Sequence, residues 1–347
     1  MPEDLPGQEK SQTVEQLQTA AHNFDDGMQK LINRYYQIVP EKFKPRGTEF
    51  FRWSYVGSTK LLLSCVPEEL HTKLARFNTM AVLLNAMIDD LADLVQNPEL
   101  VMEALAQLQS EQKPSLKIAG PYLSYLGLIH DVRVYLVAKS QNWESRKQWY
   151  PALKRFLQRY QMAMLASIKH NQRIILGDPS LTWINLDRYI IDMSPPIHTG
   201  LFILFNLMMS SPAPQEEMAT IEHIMSLADQ YMVMANWLAT WQEEVVECDY
   251  SSGVIAYTIE QGYLEGTTLS SCSRAEIKQI IQTANPEREF FTRMKGTLGA
   301  IRTLSSEVSH FDVNAYADAL NSVAWMHLDH SNMLKHGVSE VDKTTKV

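Results

Sequence analysis

Leu74, Phe77, Ala81, Leu84, Ile88 and Leu91 recur three or four positions apart, which draws one apolar stripe along a helix from Glu68 to Gln96. Asn97-Pro98 stops that helix, because a proline drives the residue before it out of the right-handed helical region. The same reading predicts helices near 49–65, 99–109, 121–140, 143–175, 181–193, 197–210, 214–247, 274–284, 287–308 and 312–335. Gly177-Asp178-Pro179-Ser180 and Ser210-Ser211-Pro212-Ala213-Pro214 are the clearest loops. Long stretches carry Leu, Met, Ala, Gln and Glu without period-2 alternation, so the expected fold class is all-α.

Composition agrees with that pattern: glycine is sparse, at 14 in 347 residues, while methionine numbers 17. No linker, composition shift or repeat of 20 to 50 residues divides the chain, so a single helical domain over 26–337 is expected. Residues 1–25 read as a polar, loosely ordered N-terminal segment and 338–347 as a polar tail. Forty acidic against 31 basic side chains leave a formal net charge of -9 with no long block of Lys or Arg, which argues against a nucleic-acid partner. Cys65, Cys248 and Cys272 are few and far apart, as reduced thiols of a cytoplasmic protein would be. The first thirty residues lack the charged and apolar regions of a secretory signal. The longest apolar runs, Leu201 to Met209 and Met80 to Ile88, fall well short of the roughly 18 residues that span a bilayer.

Candidate chemistry begins where the stripe helix ends, in Ile88-Asp89-Asp90-Leu91-Ala92-Asp93. Asp89 and Asp93 stand one turn apart and can converge on one cation, which would relieve the repulsion of three anions near a helix C-terminus. A second group, Asn236, Thr240 and Glu244, is spaced by four, so an amide oxygen, a hydroxyl and a carboxylate share a helix face. These are hard oxygen donors of the kind that select Mg²⁺ or Mn²⁺. Taken singly, the first pattern is also a solvated acidic patch and the second a polar helix stripe. Taken together, they are what a helical bundle needs to hold several Mg²⁺ ions around a diphosphate.

In these two motifs the sequence resembles the class I terpene synthases, and more closely their single-domain bacterial-type cyclases. Asp89, Asp90 and Asp93 match the family's DDxxD motif, and Asn236, Thr240 and Glu244 match its Asn, Ser/Thr, Glu triad. Arg188, 48 positions before Asn236 and followed by Asp192-Met193-Ser194-Pro195-Pro196, matches the arginine that senses the diphosphate. The stretch from Ser252 to Gly262 is similar to the family's segment after the triad, so the resemblance spans roughly residues 50 to 335. Three departures stand out. Trp237 stands where the family usually has Asp, Glu243 where it often has Lys or Arg, and Trp325-Met326-His327-Leu328-Asp329-His330 on the helix that carries the family's Arg-Tyr pair. Lys335, His327 or His330 would have to substitute at that end, although each also reads as an ordinary surface or helix residue.

The resemblance implies a single-domain antiparallel helical bundle around a central apolar cavity, the class I terpenoid synthase fold. It implies an enzyme, a carbon–oxygen lyase that uses Mg²⁺, three ions in the family pattern, with Mn²⁺ as a substitute. The implied substrate is a linear prenyl diphosphate, with geranylgeranyl diphosphate favoured, farnesyl diphosphate next, and a cyclised terpene hydrocarbon or alcohol as product. Asp89, Asp90, Asp93, Asn236, Thr240 and Glu244 are the implied metal ligands and Arg188 the diphosphate sensor. Met87, Trp237 and Trp325 are candidates for the cavity wall, as are Trp53, Met80, Leu84, Met232 and Val233, where aromatic faces would stabilise passing cations. A homodimer is compatible with this reading. Two alternatives stay open: a class I enzyme acting on a bicyclic diphosphate made by a class II cyclase, and a non-catalytic helical interaction protein.

Overall fold

The computed structural model describes residues 24–40, 43, 46–109, 120–178, 185–269 and 271–341, the side chains of 48, 109 and 330–341 excepted. Every regular element among them is helical, as the pattern predicts. The chain divides into two compact units.

Unit 1 comprises residues 1–150 and 202–212. It holds α1 (Asp26–Ile38), α2 (Thr48–Lys60), α3 (His71–Asp90), α4 (Pro98–Gln109), α5 (Leu123–Ser140), the start of α6 (Arg146–Ile175) and most of α8 (Thr199–Met209). α3 packs on α2 and α5, and α5 also meets α1 and α4. The predicted stop after Gln96 is built by two residues. Gln96 takes a left-handed conformation with φ 53, and the Asn97 Oδ1 accepts from the backbone N–H groups of Glu99 and Leu100 at 3.0 and 3.2 Å, capping α4. Phe77, Trp143 and Phe205 form a ring cluster with centroids 4.5 and 4.8 Å from Phe77. Tyr35, Leu74, Met80 and Leu83 are also fully buried in this unit, each apolar side chain contributing about 1.5–3 kcal/mol by transfer from water.

Unit 2 comprises residues 151–201 and 213–347. It holds the rest of α6, then α7 (Leu186–Met193), the 30-residue α9 (Met218–Glu247), α10 (Gly253–Glu260), α11 (Arg274–Ala284), α12 (Pro286–Thr303) and α13 (Val313–Val341). α9 is the central helix here and packs on α7, α10, α11, α12 and α13. Local chemistry sets several ends. Cys248 stops α9 in a left-handed conformation, Ser252 caps α10, and Ser273 with Glu276 forms a reciprocal capping box on α11. Pro286 sits in the first turn of α12, where its missing N–H has no helical partner to lose.

Several elements differ from the sequence reading. α1 was not expected, because only Met28, Ile32 and Tyr35 carry its buried face. α2 ends at Lys60, short of 65, and α12 ends at Thr303, where a 3₁₀ turn over Leu304–Ser306 closes it. The helix expected over 181–193 is described from Leu186, with Asn185 as its cap, and 181–184 lie outside the described residues. The expected N-terminal segment also lies outside them except for Phe24 and Asp25, and of the polar tail 338–347 the helix continues to Val341. No single helix among the described residues is long and apolar enough to cross a membrane. The three cysteines are free thiols, each half-buried.

Candidate functional site

α3 is buried on nearly every face: between Phe77 and Ala92 only Val82, Asn85 and Asp89 are partly exposed, and Asp93 follows on the same line. The helix does not end as an ideal α-helix, because Leu91–Val95 forms a π turn closed by the Gln96 N–H on the Leu91 carbonyl at 3.2 Å. Such turns insert a residue into the helical ladder and re-aim the side chains around it, here Asp93 relative to Asp89.

Asp90 is different from its two neighbours. It is 5% exposed, and both its oxygens are engaged: Arg46 Nη2 donates to Oδ1 at 2.7 Å and the Tyr125 hydroxyl to Oδ2 at 2.9 Å. The Arg46 backbone N–H in turn donates to the Tyr35 hydroxyl at 3.0 Å. Burial draws the Arg46 guanidinium towards its neutral form, but the carboxylates of Asp90 and Asp89 outweigh it and hold the charge firmly. Burial, then the Asp90 charge, pushes the Tyr125 hydroxyl far above its ordinary range, so it remains a donor. Asp90 was expected among the metal ligands; in the structure its two oxygens accept from Arg46 and Tyr125.

α9 carries the second motif in the same manner. Between Tyr231 and Trp241 only Asn236 and Thr240 are partly exposed, and Glu244 continues the line one turn on. The Thr240 hydroxyl lies 2.8 Å from the Asn236 carbonyl and 2.5 Å from Glu244 Oε1. Its single proton is thus shared between two oxygen acceptors. Asn236 Oδ1 lies 3.0 Å from His327 Nε2 on α13. His327 is one of the side chains considered for the C-terminal end, and here it meets the triad itself. His330 and Lys335 lie among the side chains not described.

Arg188 stands in the first turn of α7, with its backbone N–H capped by Asn185 at 2.8 Å. Its side chain is 72% exposed and its Nε donates to Asp192 Oδ2 at 2.7 Å. Next to it Tyr189 is half-buried and donates to the Ser251 carbonyl at 2.6 Å. Burial, with the charges of Asp249 and Glu244 adding to it, keeps that phenol protonated.

The proposed wall residues differ in setting. Met87 is fully buried. Trp237 is 5% exposed and lies on the backbone of Gly253, where an added Cβ would stand 2.1 Å from its ring. Its ring also meets Tyr189 and Phe290, each at 6.0 Å, so Trp237 is a core residue joining α9 to α7, α10 and α12. Trp325 is half-buried and stacks on Phe291 at 5.6 Å.

Asp229, two turns before Asn236 on α9, was not singled out in the sequence. It is 1% exposed and accepts from the Gly200 N–H at 2.7 Å, the start of α8 after the break at Pro195–Ile197. A Cβ on Gly200 would stand 2.6 Å from its other oxygen, so only glycine fits. Burial lifts its pKa from 3.8 to about 8, against the bonds from Gly200 and Thr199 and the charge of Arg159.

A cavity of about 270 Å³ in unit 1 is lined by Lys73, Arg76, Lys139, Phe77, Tyr135 and Trp143 with Asp25. None of the motif residues lines it, and its cationic wall is not the apolar cavity expected. Among the described residues no group of three or more His, Cys, Asp or Glu side chains converges as a ready-made metal cage. The two stripes have mixed donors instead: two carboxylates on α3, and an amide, a hydroxyl and a carboxylate on α9.

No protein-family model matches the chain, and no curated protein does. Among solved structures it is similar to the crystal structure of linalool/nerolidol synthase from Streptomyces clavuligerus in complex with 2-fluorogeranyl diphosphate. The identity is 11%, the match covers 88% of this chain and 97% of that one, and the TM-score is 0.45.

Proposed function

We propose that the chain is a magnesium-dependent class I terpene synthase, which ionises a linear prenyl diphosphate and cyclises the carbocation. Geranylgeranyl diphosphate is the favoured substrate and farnesyl diphosphate the next. One observation carries the reading: in two helices buried on their other faces, the partly exposed stripe is the one that bears the hard oxygen donors. A solvated acidic patch would expose its flanking residues as well. Here Ile88 and Ala92, beside Asp89 and Asp93, and Ala235, Ala239 and Trp241, beside Asn236 and Thr240, are buried while those four polar side chains are partly exposed.

The donor set fits Mg²⁺, which takes a few protein oxygens and leaves positions for water and substrate phosphates. Asp89 and Asp93 would hold one such ion at the end of α3, and Asn236, Thr240 and Glu244 would hold another on α9. Bound there, the metal would supply Lewis-acid neutralisation of the leaving diphosphate. Asp90, held by Arg46 and Tyr125, fixes the end of α3 rather than touching the ion. Arg188 uses Nε for Asp192 and would offer its paired Nη groups to the diphosphate, a planar fork suited to bidentate phosphate contact. No side chain serves as a covalent nucleophile; the work of the chain is to bind, orient and exclude water.

The test is incubation of the purified protein and Mg²⁺ with the ten-, fifteen-, twenty- and twenty-five-carbon all-trans prenyl diphosphates, with extracts analysed by gas chromatography and mass spectrometry. A terpene hydrocarbon or alcohol should form with release of diphosphate, stop on chelation and return with Mg²⁺ or Mn²⁺. Survival of all four substrates would refute the reading for linear substrates. Consumption of a bicyclic diphosphate in the same assay would then place the enzyme after a class II cyclase, and survival of that too would leave a non-catalytic helical protein.

A further inference from the structure

α9 and α13 pack side by side in unit 2 and, among the described side chains, are joined by two hydrogen bonds. The Tyr231 hydroxyl donates to Asn321 Oδ1 at 2.7 Å, and His327 Nε2 lies 3.0 Å from Asn236 Oδ1. From the first bond to the second the chain advances five residues on α9 and six on α13, so the helices run parallel here. The bonds are about 7–9 Å apart along the axes. Ala228 and Ala235 on α9 and Ala317 and Ala324 on α13 are buried. The carbonyl-type Oδ1 of Asn236 can only accept, so His327 must carry its proton on Nε2 and donate.

We propose that His327 is a positioning residue for Asn236, and that it acts by fixing the side-chain amide in one of its two orientations, with the oxygen held and one of its lone pairs left for a cation. The terminal torsion of asparagine is broad and roughly two-fold, and only its oxygen can ligate a cation. A fixed N–H donor selects the orientation with the oxygen towards His327, and that oxygen keeps a second lone pair for the metal. This is the arrangement by which a partner outside the ligand set orients a ligand, and loss of such a partner typically weakens metal affinity 10–100-fold. The sequence hides it, because His327 lies 91 positions from Asn236. The inference rests on the reading of Asn236 as a metal ligand.

The experiment measures Mn²⁺ binding to the full-length protein by electron paramagnetic resonance in the presence of inorganic diphosphate, alongside thermal melting. His327→Leu should weaken metal binding about tenfold with little change in melting temperature. His327→Gln, whose amide nitrogen can donate from a similar place, should restore binding to within about threefold. Asn321→Ala breaks the other bond between the same helices and should leave metal affinity as in the parent. The inference is overturned if His327→Leu binds metal normally while Asn236→Ala does not. It is equally overturned if Asn321→Ala weakens binding as much as His327→Leu, since His327 would then be only a helix staple. If Asn236→Ala binds metal normally, the ligand assignment itself falls, and the inference with it.

Discussion

Asp89 and Asp90 are adjacent, yet exchanging each for its amide should have opposite consequences. In Asp90→Asn, two charge-assisted hydrogen bonds, from Arg46 at 2.7 Å and Tyr125 at 2.9 Å, become neutral ones. Each is worth about 1 kcal/mol more in its charged form. Removing a partner from a fully buried ion pair costs about 3–5 kcal/mol, but the Arg46 side chain is 37% exposed and regains water. The expected loss for Asp90→Asn is therefore about 2–3 kcal/mol, which lowers the melting temperature by about 3–4 °C. Asp89 is only half-buried on the exposed stripe, so Asp89→Asn should change stability by less than about 0.5 kcal/mol and raise the Mg²⁺ requirement for turnover at least about tenfold. Chemical denaturation and Mg²⁺ titration of activity measure the two quantities. A parent-like melting temperature for Asp90→Asn, or an equal loss of stability in Asp89→Asn, would refute the division of labour.

Asp229 has a folded pKa of about 8 against 3.8, so the folded state keeps its proton longer than the unfolded chain does. Its contribution is complete below pH 4, falls as the unfolded carboxyl ionises, and is lost through pH 8. Relative to Asp229→Asn, the parent should therefore lose up to about 4 kcal/mol between pH 5 and pH 8 in urea titrations, and a pH-independent difference would contradict this. Gly253→Ala drives a Cβ to 2.1 Å from the Trp237 ring; the expected destabilisation is about 3 kcal/mol or more, with partial rescue by Trp237→Leu in a double-mutant cycle. Arg188→Ala removes an exposed side chain and should leave the melting temperature unchanged while turnover falls sharply. Parent-like turnover would remove Arg188 from the diphosphate contact.

How much of this was legible in the sequence follows from which contacts are local. α3, α9 and the loops between helices were readable because a helix buried along one face repeats its apolar positions every three or four residues. α1 was not, since Met28, Ile32 and Tyr35 are too few to set a period. The spacing of Asn236, Thr240 and Glu244 was readable for the same reason as α3, and so was their shared face. The role of Asp90 was hidden, because Arg46 is 44 residues away and meets it through the packing of the segment that leads into α2. Trp237 was a candidate for the cavity wall, where an aromatic face would stabilise passing cations; its packing is not legible from its type. Consecutive helix positions stand about 100° apart, so the neighbour of an exposed Asn belongs to another face, and here that face lies on Gly253.

Arg46 also bears on how the carboxylates of α3 would take a metal. Three anions near a helix C-terminus repel one another and the macrodipole, and the sequence alone suggested that a bound cation relieves this. Arg46 already does part of that work: it pairs with Asp90 and feels the charge of Asp89. The metal-free end of α3 is therefore less anionic than its sequence, and Asp89 with Asp93 alone should attract Mg²⁺ weakly. Mg²⁺ held by one or two carboxylates normally completes its shell with substrate phosphates, so the ion and the diphosphate should bind cooperatively. Calorimetric titration of Mg²⁺ should show at least about tenfold tighter binding with inorganic diphosphate present, a coupling of about 1.4 kcal/mol. Equal affinity with and without diphosphate would mean that the carboxylates bind the metal unaided, and that the charge of Arg46 does not reach Asp89 as inferred.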